Sequence, residues 1–94
     1  MAGMTAATHP PLPSRFWADL STRDFTGLRA SGQARQTVAV LPVAAIEQHG
    51  PHLPLSVDAT LLQGVMDAAL QQLPAALPVL FLPPQVVGLS PEHV

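Results

Sequence analysis

Cysteine is missing from this chain of 94 residues. Its absence excludes disulfide staples and thiolate chemistry, and with them a small secreted domain held together by cross-links. Lysine is missing as well. The four basic residues are Arg15, Arg23, Arg29 and Arg35, set against six acids for a formal net charge of −2, and they form no basic cluster. Such a surface cannot grip a phosphate backbone, so nucleic acid is not expected as a partner. Charged residues of either sign make up only 11 % of the chain, whereas 48 % is apolar. A small free-standing domain usually carries about a quarter charged residues, because most of its residues meet water. The apolar excess therefore reads as a piece of a larger core or as a subunit that buries much of its surface against partners, and the first reading is preferred.

Long hydrophobic runs are also lacking. The longest, Thr37–Ile46, is interrupted by Pro42 and reaches about half a bilayer span. Met1–Pro13 has no apolar signal segment, and the first basic residue is Arg15. A soluble, cytoplasmic protein with no membrane contact is expected, and no internal repeat is visible.

Residues 1–14 contain Pro10, Pro11 and Pro13 and read as a flexible Pro-rich lead-in. Residues 15–94 read as the N-terminal, incomplete part of an α/β domain. Ser21 and Asp24 have capping-box spacing, and Phe25 and Leu28 add an apolar edge, which predicts a short helix over Thr22–Ser31. Thr37–Val43 is β-branched and apolar on both faces, the pattern of a strand buried in a parallel sheet, with Pro42 near its end. Ala59–Leu73 predicts the clearest helix: Leu61, Leu62, Val65, Met66, Ala69, Leu70 and Leu73 share one stripe, and Pro74 stops it. Pro78–Leu82 predicts a second short buried strand. This order makes a βαβ-like unit with parallel strands, in which ligands bind beyond the carboxyl ends of the strands. The polar segments Glu47–Asp58 and Gly88–His93 each follow such an end and are expected on one rim.

The segment Glu47–Asp58 places two histidines and two carboxylates in twelve positions of an otherwise apolar chain. Glu47 and His49 are two apart and would point to one side of an extended stretch. Gly50 and Pro51 then turn the chain, which can return Asp58 towards them. Carboxylate, imidazole and carboxylate form a donor set suited to Zn, Mn or Fe. Spacing leaves the alternatives open, however. A histidine beside Gly-Pro is most often a solvated loop residue, and Asp58 before a helix is by default its N-cap. Ser90-Pro91-Glu92 likewise reads as a helix start.

The run from Leu41 to Asp58, with Pro42-Val43 leading into Glu47-Gln48-His49-Gly50, resembles the signature of the creatininase family. Trp17-Ala18-Asp19-Leu20 resembles the opening of that family, and Gly88–His93 resembles its Gly-x-Ser-x-Glu-His segment, so the likeness covers nearly everything after the lead-in. Ala44 stands where a glycine is common in the family. The resemblance implies a three-layer α/β/α sandwich with a mostly parallel sheet, present here in part. It implies a metal-dependent amidohydrolase acting on a linear or cyclic amide, creatinine-like or formamide-like, with two divalent ions (Zn, Mn or Fe) that acidify water and polarise the carbonyl. By the same resemblance Glu47 binds one ion, His49 the other, and Asp58 bridges them, with further ligands downstream. His52 is a candidate for orienting substrate or moving a proton, although a supporting, structural role is the preferred reading of it, and Glu92 and His93 would shape the rim of the pocket or a subunit contact. The expected partners are a small-molecule amide substrate and, in the complete protein, further copies of the chain. With three ligands and two confident strands, these 94 residues alone are not expected to be an active hydrolase. An inactive truncated fragment and a non-catalytic subunit pairing through its apolar face are the rival readings.

Overall fold

Ser21 starts the first helix through local hydrogen bonds. Its Oγ accepts from the Asp24 amide at 3.1 Å, and the Asp24 carboxylate accepts from the Ser21 amide at 2.8 Å. This reciprocal box satisfies two backbone donors that a helix N-terminus otherwise leaves without intrahelical partners. The helix α1 runs Thr22–Ser31 and ends at Gly32, whose φ of 81° is the left-handed cap that glycine adopts without a Cβ penalty. Ser21→Ala is expected to lower stability by about 1 kcal/mol. Urea unfolding should show an earlier midpoint at unchanged slope, and an unchanged midpoint would mean that the box is dispensable.

The computed structural model describes residues 10–88. After α1, a 3-10 turn at Gln33–Gln36 leads into strand β1, Val38–Val40; helix α2 spans Val57–Gln72, and strand β2 spans Val79–Phe81. The chain divides into two compact units, Met1–Val40 with Leu73–Pro83 and Leu41–Gln72 with Pro84–Val94.

In the first unit β1 and β2 pair in parallel, Val38 opposite Val79, Ala39 opposite Leu80 and Val40 opposite Phe81. The α/β class and the parallel pairing expected from the sequence are both present. Burial within the pair differs from expectation. Leu80 and Phe81 of β2 are buried, but Val38 and Ala39 of β1 are exposed. The reason is that β2 is covered along both edges. On one side lies β1; on the other, Phe16 makes a parallel bridge to Phe81, and the Phe81 amide donates to the Arg15 carbonyl at 2.7 Å. The Phe16 and Phe81 rings meet at 6.3 Å. Strand β1 is also shorter than the predicted Thr37–Val43.

Arg15 fastens the return of the chain into β2. One guanidinium nitrogen donates to the carbonyls of Leu77 and, at 3.0 Å, Val79; the other donates to the Pro74 carbonyl at 2.5 Å. The planar fork thereby satisfies three carbonyls of a proline-rich connection. Gln33, the buried polar residue of this unit, is also satisfied, its amide donating to the Pro10 carbonyl at 2.6 Å. Trp17, ahead of α1, packs at a tilt of 49° against Phe25 of the helix, with centroids 4.4 Å apart.

In the second unit, parallel pairing occurs at Val43 and Gln85: the Gln85 amide donates to the Pro42 carbonyl and the Ala44 amide to the Gln85 carbonyl, each at 2.9 Å. Pro42 has no amide to donate, so only its carbonyl takes part. Helix α2 ends before Pro74, as predicted, but starts two residues earlier than Ala59. Only Met66 of its apolar stripe is buried; Leu62, Ala69 and Leu70 are half-buried, while Leu61 is 63 % exposed and Val65 66 %. No helix among the described residues is long and apolar enough to cross a membrane.

Candidate metal centre

The second unit carries its polar residues on a loop that closes on itself. The Glu47 amide donates to the Leu55 carbonyl at 3.3 Å, drawing together the two ends of the loop. Within it, Gly50 has a φ of 81°, so the chain reverses immediately after His49. A turn from Pro54 to Val57 follows, and the Thr60 amide bonds the Ser56 carbonyl to open α2. Asp58 is thus inside the first turn of the helix. The default expectation that it precedes the helix as N-cap is corrected, because the turn at Pro54 lets the helix begin at Val57.

This path brings Glu47, His49 and Asp58 together. Each offers one ligand atom, the three atoms lie within 4.8 Å of one another, and all three residues are half-buried. The His49 ring is held on both sides. Nδ1 lies 2.9 Å from the Glu47 carbonyl, which can only accept, so Nδ1 carries a proton. Nε2 lies 3.2 Å from Asp58 Oδ1. A protonated ring would donate across that contact to the carboxylate. Accordingly the imidazole is raised above its ordinary value of 6.5, chiefly by the Glu47 carbonyl, against the opposing effect of desolvation and with further help from the Asp58 carboxylate.

The same arrangement fits a divalent ion. A neutral imidazole protonated at Nδ1 turns a lone pair on Nε2 towards the Asp58 carboxylate, leaving two acceptors face to face, an arrangement that calls for a cation. Two ligand atoms held about 2.0–2.1 Å from a tetrahedral ion sit about 3.3 Å apart, close to the 3.2 Å found between Nε2 and Oδ1. Two carboxylates and an imidazole are also the donor types that Zn, Mn and Fe accept.

A model of the creatininase family, described as creatinine amidohydrolase, matches residues 18–94. The chain belongs to the creatininase family. Among curated proteins it is similar to the mycofactocin precursor peptide peptidase of Mycolicibacterium smegmatis, with 38 % identity over 58 residues. That stretch covers 60 % of this chain but 24 % of the relative, so the match spans about a quarter of the relative's length. No solved structure matches the chain.

In this creatininase-family chain, the other residues singled out from the sequence are distributed differently. His52 is exposed and lies outside the cluster formed by Glu47, His49 and Asp58. Glu92 and His93 fall outside the described residues, as does all of the Gly88–His93 segment except Gly88. Two contributors to the site went unread in the sequence: the Leu55 carbonyl, which closes the loop, and Gln48, whose side chain bonds the Gly50 amide. A carbonyl leaves no trace in residue identity. Gln48 differs, because a polar residue two positions before a glycine is a signal for a side-chain-closed turn.

Proposed function

We propose that Glu47, His49 and Asp58 are metal ligands in a metal-dependent hydrolase of amide C–N bonds. The observation that carries this reading is the opposed pair, His49 Nε2 and Asp58 Oδ1 at 3.2 Å, with Glu47 completing a triangle of donors within 4.8 Å. Divalent ions held there supply Lewis acidity, polarising an amide carbonyl and making water a nucleophile near neutral pH. The chain's own residues fix the donors. The Glu47 carbonyl holds the His49 ring in the tautomer that presents Nε2, and the first turn of α2 holds the Asp58 carboxylate. In keeping with the family signature, Asp58 is assigned as the bridge between two ions, with Zn, Mn or Fe as the metals. His52, exposed on the same loop, is assigned to substrate orientation or proton transfer.

Peptide amides are the preferred substrate class. The similar protein from Mycolicibacterium smegmatis is named as a precursor peptide peptidase. Assembly with further copies through exposed apolar residues such as Leu53, Leu55, Leu61 and Val65 belongs to the same reading.

The test is uptake of metal by the purified protein, followed by elemental analysis and hydrolysis assays on short peptides, formamide and creatinine. Bound Zn or Mn is the expected outcome for these 94 residues, with release of an amine from a peptide expected only where the family's downstream ligands are also present. Amide hydrolysis that persists undiminished after chelation would refute the metal-dependent reading.

A further inference from the structure

The turn that aims His49 has little packing to hold it. Gly50 is exposed, and apart from its own chain neighbours no atom among the described residues lies within 4 Å of the place where a Cβ would stand. Its left-handed φ of 81° demands glycine for backbone reasons, yet glycine is the residue that most readily leaves any one conformation. A restraint must come from hydrogen bonding. Gln48 provides it: although its side chain is exposed, its Oε1 accepts from the Gly50 amide at 2.9 Å. A long side chain gives up rotamer freedom to make that bond, and an N–H donor fixes which end of the amide faces inwards.

We propose that Gln48 is a positioning residue for the metal centre, an inference that rests on His49 being a metal ligand. Gln48 spans His49 from behind. Its bond to Gly50 locks the peptide units on both sides of His49 and so holds the ring between the Glu47 carbonyl and Asp58. The chemistry needs an acceptor at the end of this side chain, not an amide as such. Partners that orient a metal ligand without touching the ion typically change affinity by about 10–100-fold when removed.

The experiment compares the wild-type chain with Gln48→Met, which keeps length but loses the acceptor, and Gln48→Glu, which keeps an acceptor oxygen. Zn²⁺ affinity is measured by titration calorimetry, with circular dichroism as the check on folding. The His49 tautomer is read from ¹⁵N–¹H correlation spectra of the metal-free protein at alkaline pH. The expected result is a loss of about tenfold or more in Zn²⁺ affinity for Gln48→Met, with the fold intact and the ring shifting away from the Nδ1-protonated form. Gln48→Glu should bind and titrate like wild type. Unchanged affinity and an unchanged ring signature in Gln48→Met would overturn the proposal, as would a Gln48→Glu variant as weak as Gln48→Met. A wild-type chain that takes up no Zn²⁺ would overturn the metal assignment itself. The ring signature without metal would then still decide whether Gln48 orients His49.

Discussion

Asp58→Ala is expected to abolish specific uptake of divalent metal while leaving the protein folded. Of the three donors, Asp58 is the one that faces His49 Nε2, at 3.2 Å, and the one assigned to bridge. Its removal should cost more affinity than the about 10–100-fold lost when a supporting residue is removed. The effect on folding should be small. Asp58 is half-exposed in the first turn of α2, where a carboxylate contributes about 0.3–1 kcal/mol through the helix dipole. Elemental analysis after dialysis against Zn or Mn makes the measurement, with circular dichroism as the check on structure. A full metal complement in Asp58→Ala would end the bridging assignment. His52→Ala provides the contrast: its metal content should stay at the wild-type level, and in the complete protein the proposed amide turnover should fall.

Metal affinity and metal-free stability should respond to pH in opposite directions. The folded His49 imidazole is raised above 6.5, first by the Glu47 carbonyl and then by the Asp58 carboxylate. A raised value means that the protonated ring is the form favoured by folding. Its contribution to stability is therefore present in full below 6.5 and fades as pH rises through the raised value. A metal ion needs the unprotonated Nε2, so binding must expel that proton. Zn²⁺ affinity should then climb by about tenfold per pH unit below the raised value and level off above it. Calorimetric titrations across the range from pH 5 to 9, in two buffers of different ionisation enthalpy, count the proton released. A flat affinity profile across the mildly acidic range, with no proton released, would show that His49 is not a ligand. His49→Ala should lose both the affinity and its pH dependence.

Much of the fold was legible because its determinants are local. The capping box at Ser21 and Asp24 spans three residues, so the predicted Thr22–Ser31 coincides with α1. The end of α2 before Pro74 follows from the missing amide of proline. Family membership was legible for a related reason: the run Leu41–Asp58 is contiguous, and contiguity is what a sequence records best.

Burial and convergence were decided in three dimensions. The apolar pattern of Thr37–Val43 could not distinguish a covered strand from an edge. What distinguished them is the return of Arg15 and Phe16 to β2, by contacts 62 and 64 residues apart for the Arg15 guanidinium, which covers β2 and leaves β1 exposed. In α2, similar leucines and valines share one stripe, yet Met66 is buried and Val65 is not, since a helical period marks a face without saying how far a neighbour covers it. The site divides in the same way. The sequence by itself determined the donor types and their spacing, Glu47, His49 and Asp58, along with the glycine that allows the chain to turn. Only the tertiary structure decided that Asp58 lies inside the helix and faces His49 Nε2, because the closure from Glu47 to Leu55 and the turn at Pro54 set the direction in which α2 starts. Spacing limits how far apart two side chains can be; backbone hydrogen bonds between turns determine whether they meet.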